Sequence, residues 1–379
     1  MPRFARCVFA VFLAVSCLSS SLACQAAAPE TAAAAFILME AGSGRVLASR
    51  NETQERSIAS TTKIMTALLA FESEHRGDPV TITPEMISVE GSSMGLRAGE
   101  VLALGDIARG MMMASGNDGA NAIALYLSDS AEAFSEKMNA RAAELHMMQT
   151  HFVTPSGLDA EGHGSTAYDM ALLAAEAMQN EEFAAAVGQT TLSVPFISPE
   201  KTVRYENHNR LLKLYPDCTG IKTGFTKKAG RCLVSSAERD GARLICVTLN
   251  APDDWNDHMN LYDYGFAQLA ERTYTADFQP VSLPAVGGEK ECISLTLQTQ
   301  ESAVLPKDVT VTAGCILPRF VYAPVEKGDV IGCVRYSVNG KVLKETPLVS
   351  SEDCALQKDE RTWFQKWFAR FLRSTSFIN

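Results

Sequence analysis

No Cys-x-x-Cys pair occurs anywhere in the 379 residues, and the six histidines fall at spacings that make no metal-binding pattern. Zinc ribbons and fingers need paired thiolate or imidazole ligands a few residues apart, so no metal site is expected. Positive charge is also in short supply. With 34 Lys and Arg against 44 Asp and Glu, the net charge is −10, and a general nucleic-acid binder, which needs a basic face, is not expected. Internal repeats are absent, and low complexity is confined to Ala32–Ala35. What is present is a hydrophobic content of 46%, ample for packed cores, in a chain longer than one ordinary domain.

At the N-terminus, Arg3 and Arg6 precede an apolar run from Cys7 to Leu18 and then small residues through Ala28, the order of a secretory signal. Residues 1–28 are therefore expected to direct export, with cleavage after Ala23 or Ala28. Cys24 leaves a lipidated cysteine as an alternative, although Ser21 stands where a lipobox prefers Leu. Of ten cysteines, Cys7, Cys17 and Cys24 fall in or beside this segment. Cys218, Cys232, Cys246, Cys292, Cys315, Cys333 and Cys354 remain, an odd set that indicates no full disulfide framework. Most of them are expected as small core hydrophobes, and the histidines as surface or capping residues.

The pattern along residues 29–276 is α+β. Two β-like runs, 35–39 and 45–49, flank Ala41-Gly-Ser-Gly44 as a hairpin. Helical periods follow at 106–113, 118–127, 130–145 and 166–178, with a break at 115–117. Strand-like runs at 232–237 and 243–249 meet at Asp240-Gly241, a hairpin turn, and a helix containing Met259, Leu261, Tyr262 and Phe266 closes the segment. Strands then helices then strands predict an antiparallel sheet packed between helices. From 277 to 352 the composition shifts to short alternating runs, with Asn339-Gly340 joining two of them, which predicts a small all-β sandwich. Residues 353–379 are expected to form a linker and a terminal helix.

The stretch from Ser57 to Phe71 organises the chemistry. Ser60 and Lys63 open an almost wholly apolar run, and residues three apart share one helix face about 5–6 Å apart at Cβ, so the amine can reach the hydroxyl. Burial disfavours a charged ammonium, which is how a lysine becomes a base near neutral pH. Ser-x-x-Lys is loose by itself, since Ser198-Pro-Glu-Lys201 also fits it, and Ser115-Gly-Asn117 alone reads as a cap or turn. Ser60-Thr-Thr-Lys63, Ser115-Gly-Asn117 and Lys222-Thr-Gly224 in that order are far more specific.

This ordered set resembles the penicillin-recognising serine acyl enzymes. The flanking residues of the three motifs, with Thr154-Pro-Ser-Gly-Leu-Asp159, Ser165-Thr-Ala-Tyr-Asp-Met170 and Asn207-His-Asn-Arg-Leu-Leu212, are similar to the low-molecular-mass D-alanyl-D-alanine carboxypeptidases. The resemblance continues through Tyr322-Ala-Pro-Val-Glu-Lys-Gly328 of the β module. It implies a β-lactamase/transpeptidase-like domain with a helical subdomain, no cofactor, and peptidoglycan stem peptides and β-lactam antibiotics as the partners of the site. By the same resemblance Ser60 is the nucleophile, Lys63 its base, Ser115 a proton relay towards the leaving amine, and Asn117 an orienter of substrate and Lys63. Lys222 and Thr223 take the substrate carboxylate, Gly224 lets the substrate lie along a strand, and the amides of Ser60 and Phe225 form the oxyanion hole. Phe225 departs from relatives that carry His there. A β-lactamase-type hydrolase is disfavoured by Ser115-Gly-Asn117 in place of Ser-Asp-Asn and by the added β module; a non-catalytic penicillin-sensing wall protein is disfavoured by the intact nucleophile and base.

The segment 359–373 alternates Trp363, Phe364, Trp367, Phe368, Phe371 and Leu372 with Lys366, Arg370 and Arg373, an amphipathic helix by period. About 15 residues at ~1.5 Å each fall short of the ~30 Å hydrocarbon core, so it is expected to lie on the outer face of the cytoplasmic membrane and hold an exported enzyme there.

Overall fold

The computed structural model describes residues 28–275, 278–358 and Trp363. The expected signal segment, but for Ala28, and the expected tail helix, but for Trp363, lie outside the described residues, as do Cys7, Cys17 and Cys24.

In chain order the first part runs β1 (Ala35–Glu40), β2 (Val46–Arg50), α1 (Lys63–Glu72), β3 (Pro79–Thr81), β4 (Val101–Ala103), α2 (Leu104–Ala114), α3 (Asn117–Leu127) and α4 (Ala131–Glu144). It continues with α5 (Ala167–Ala177), α6 (Glu181–Val187), β5 (Thr191–Phe196), β6 (Lys201–Glu206), α7 (Leu211–Leu214), β7 (Cys218–Thr226), β8 (Gly230–Arg239), β9 (Ala242–Leu249) and α8 (Asp254–Ala267). Five strands pair in the order β2-β1-β9-β8-β7, so β7 is an edge. All these pairings are antiparallel.

The sheet is covered on both faces, which explains why β1 reads as a continuous apolar run rather than an alternation. Ile37 and Met39 enter the large core shared with α1, α2, α3 and α5, whereas Phe36 and Leu38 pack with Leu261, Tyr262 and Phe266 of α8. Two of the histidines belong to these interiors, contrary to the sequence expectation. His163 and His258 are buried, because each ring nitrogen is satisfied there by a backbone or hydroxyl partner.

The remaining strands are β10 (Leu269–Thr273), β11 (Val281–Val286), β12 (Cys292–Leu297), β13 (Ser302–Pro306), β14 (Thr312–Ile316), β15 (Val321–Tyr322), β16 (Val330–Val338) and β17 (Lys341–Ser350). Six of them pair as β14-β16-β17-β12-β11-β15, and β10 pairs separately with β13. Leu305 from β13 meets Val338 from β16 in one of three small apolar clusters. Asn339 and Gly340 both take positive φ, as the two-residue turn joining β16 to β17 requires. The expected core placement of the cysteines holds only in part. Cys232, Cys246 and Cys354 are buried, Cys218 and Cys333 are half-buried, and Cys292 and Cys315 are exposed on sheet strands; all are free thiols.

Candidate active site

Ser60 stands on a single 3-10 turn, Ala59–Thr62, that leads into α1. The local sequence builds that turn: Thr61 Oγ1 donates to Ile58 O at 2.6 Å and Thr62 Oγ1 to Ala59 O at 2.9 Å. Such back-bonding by threonine stabilises tight turns that a regular helix would not use. Lys63, the next residue, is completely buried.

The second motif sits where α2 ends and α3 begins. Ser115 adopts a left-handed conformation with φ 57°, which breaks the helix and leaves Asn117 as the first residue of α3. The third motif lies on β7, and its closeness to Ser60 depends on a missing side chain. A Cβ at Gly224 would lie 3.1 Å from Ser60 N and 3.1 Å from Ile58 O, a tight contact that glycine avoids as the edge strand passes the Ser60 amide.

Lys63 Nζ is the centre of the arrangement. It lies 3.0 Å from Ser60 Oγ, 2.7 Å from Asn117 Oδ1 and 2.6 Å from Ser156 O. Asn117 Nδ2 donates to Glu90 O at 2.6 Å, which fixes the amide so that its oxygen faces the lysine. No carboxylate pairs with Lys63 among the described residues; Asp118, whose charge acts on it, is taken up by Ser93 Oγ and the amides of Met94, Gly95 and Leu96. Burial, reinforced by the charge of Lys222, drives the pKa of Lys63 well below its ordinary value, with Asp118 opposing. Lys222 is itself buried and its pKa is pulled down to about 7 by desolvation.

These residues meet at a cleft of about 420 Å³. Ser60, Ser115, Thr223, Gly224 and Phe225 line it, and Lys63, Asn117 and Lys222 lie buried beneath. All eight residues expected from the sequence are thus gathered at one place. Phe225, 65% exposed, forms an open wall. Opposite it in the β7–β8 register stands Arg231, held by Asp254 at 2.7 Å and stacked over the Trp255 ring. His208 and Arg210 add to the rim. Sequence reasoning gave no site role to Arg231, Asp254 or Trp255, quoted His208 and Arg210 only within the 207–212 motif, and missed the Ser156 carbonyl. The Thr154-Pro-Ser-Gly157 turn was the available signal for the latter. Among the described residues no three His, Cys, Asp or Glu side chains come together as a metal site would need.

A family model described as D-alanyl-D-alanine carboxypeptidase matches residues 23–253. The chain belongs to that family. A second model, the C-terminal domain of penicillin-binding protein 5, matches residues 271–355. D-alanyl-D-alanine carboxypeptidase DacF of Bacillus subtilis (strain 168) is 34% identical over 329 residues, covering 84% of each chain. DacC of Escherichia coli (strain K12), also a D-alanyl-D-alanine carboxypeptidase, is 32% identical over 391 residues, covering 90% of this chain and 92% of its own. Among solved structures, penicillin-binding protein 5 from Haemophilus influenzae superposes with a TM-score of 0.63 at 28% identity, covering 87% of this chain and 99% of that one.

Proposed function

We propose that this protein is a serine D,D-carboxypeptidase that removes the terminal D-alanine from peptidoglycan stem peptides and is acylated by β-lactams. The observation that carries the assignment is the hydrogen-bond set around Lys63 Nζ. A neutral amine has two hydrogens and one lone pair. Asn117 Oδ1 and Ser156 O can only accept, so they take the two hydrogens, and the lone pair is left for the Ser60 hydroxyl.

In this reading Lys63 takes the hydroxyl proton as Ser60 Oγ attacks the carbonyl carbon of the penultimate D-alanine. The oxyanion forms against the Ser60 and Phe225 amides. The proton held by Lys63 is relayed through Ser115 to the departing nitrogen, the C–N bond breaks and free D-alanine leaves, with Lys63 neutral again. Water then adds to the Ser60 ester, and the serine oxygen leaves with its proton restored. Lys222 and Thr223 recognise the terminal carboxylate. Burial pulls the pKa of Lys222 down to about 7, and a bound carboxylate stabilises its cation. A β-lactam follows the same first step, but its opened ring stays attached to the acyl group.

The export signal and the aromatic-cationic tail support a location on the outer face of the cytoplasmic membrane. No helix among the described residues is long and apolar enough to cross a membrane. Incubation with a D-Ala-D-Ala peptide should release free D-alanine, and labelled penicillin should map to Ser60 as a long-lived adduct. Rapid penicillin turnover would favour a β-lactamase instead, and undiminished labelling of Ser60→Ala would remove Ser60 from the mechanism.

A further inference from the structure

Beneath the cleft, one buried histidine joins two of the segments that meet at Lys63. His163 is only 7% exposed. Its Nδ1 faces Val153 N at 3.0 Å and Thr154 N at 3.4 Å. Both groups can only donate, so Nδ1 holds a lone pair and the ring proton is on Nε2. Nε2 lies 2.9 Å from Thr62 Oγ1, whose one hydrogen goes to Ala59 O at 2.9 Å. Every hydrogen in this chain therefore points the same way, from the ring through Thr62 to the carbonyl just before the nucleophile.

Ala59 needs such support. Its φ of 48° is left-handed, a conformation that a residue with a Cβ keeps only when its surroundings hold it. On the other side, Val153 and Thr154 lead directly into Ser156, whose carbonyl accepts from Lys63 Nζ. One ring thus ties the turn carrying Ser60 to the segment that orients Lys63.

We infer that His163, as the neutral Nε2–H tautomer, is a positioning residue for acylation: it holds the Ala59–Thr62 turn, and Ser60 Oγ with it, in register with Lys63. This role rests on the assignment of Ser60 as nucleophile. Burial pushes the ring's pKa down to about 4, with Asp159 raising it and His151 and Lys228 lowering it further. The neutral ring therefore persists at neutral pH.

Nitrogen-15 NMR of the whole histidine-labelled protein reads the tautomer directly. His163 should stay neutral and Nε2-protonated between about pH 5.5 and 8; an imidazolium or an Nδ1–H ring in that range would overturn the role. Kinetics provide the second arm. His163→Asn keeps an acceptor for Val153 but cannot reach Thr62, whereas His163→Gln carries an N–H that can. The acylation rate constant for penicillin should fall about ten- to a hundredfold in His163→Asn, with non-covalent binding nearly unchanged, and recover largely in His163→Gln. Thr62→Val cuts the same path, so combining it with His163→Asn should cost little more than either change alone. Wild-type acylation by Thr62→Val, or independent losses in the pair, would show that this path does not position Ser60, and the first of these needs no folded His163 variant. Failure of the parent assignment looks different, because then the unaltered protein itself takes no label at Ser60.

Discussion

Gly157 packs directly on the carbonyl oxygen of Ala59: a Cβ at 157 would lie 1.9 Å from that oxygen and 2.7 Å from Thr62 Oγ1. Its φ of 81° is itself a conformation that side-chain-bearing residues avoid. The obstacle is backbone, so no rotamer can relieve it. Gly157→Ala should therefore lower unfolding stability by more than about 2 kcal/mol and displace the Ser60 turn. A wild-type denaturant midpoint together with a wild-type acylation rate would show that the 154–157 segment does not bear on that turn.

On the proposed mechanism the two lysines should set opposite limbs of the pH profile. Acylation needs Lys63 without its proton, so rate rises with pH until that lysine is neutral. Recognition of a carboxylate needs Lys222 with its proton, which burial makes it release as pH rises through about 7. The profile of kcat/KM reports the free enzyme, so peptides with a free terminal carboxylate should lose kcat/KM on the alkaline side. Their amidated counterparts should lack that limb. Lys63→Ala should lower acylation about 10²–10⁴-fold on both substrates, whereas Lys222→Ala should penalise the free acid selectively. Matching alkaline limbs for acid and amide would refute the carboxylate role of Lys222.

Acid stability carries a separate signature from His258. Its two ring nitrogens meet Ser235 Oγ at 2.6 Å and Thr248 Oγ1 at 2.9 Å between β8, β9 and α8. Burial pushes its pKa down to about 3, so the ring stays neutral in the fold while the unfolded chain takes up a proton below about 6.5. The folded state then binds fewer protons, and stability present above pH 6.5 is lost progressively as pH falls towards 3. One such group contributes a slope of up to about 1.4 kcal/mol per pH unit. His258→Gln should flatten unfolding free energy against pH between about 6 and 4, from a lower starting value; parallel curves would mean that His258 does not titrate on unfolding. His163 acts in the same sense down to about pH 4 and persists in that variant.

Sequence reading reached different parts of the molecule for physical reasons. Ser60, Lys63, Ser115, Asn117 and Lys222 are legible because their chemistry resides in side chains at fixed local spacings. Ser156 is not, since it contributes a carbonyl oxygen that every residue possesses and only the fold aims at Lys63. An isolated histidine such as His163 has no spacing to mark it, and its partners come from distant segments. The β16–β17 hairpin is legible from Asn339-Gly340, whereas the three-residue strands β3 and β4 are too short to show an alternation. β10 follows α8 immediately yet pairs with β13, and nothing local in Leu269–Thr273 names so remote a partner.

The proposed attachment through the C-terminal segment gives the last test. The described chain ends its β module at Ser350 and continues to Lys358, with Trp363 beyond it 77% exposed. Residues 363–373 place two Trp and three Phe beside three cations, a composition that suits a lipid headgroup region better than a packed protein interior. Aromatic burial in the interface and attraction of Lys366, Arg370 and Arg373 to anionic lipid should act together, each cation contributing about 1 kcal/mol near such a surface. Binding should therefore weaken with salt and with loss of anionic lipid. Deleting residues 359–379 should leave kcat/KM on a small D-Ala-D-Ala peptide unchanged, because the described lining of the cleft comes from the sheet-and-helix domain. The same truncation should abolish co-sedimentation with anionic vesicles. A truncated protein that still pelleted with those vesicles would place the membrane contact elsewhere on the chain.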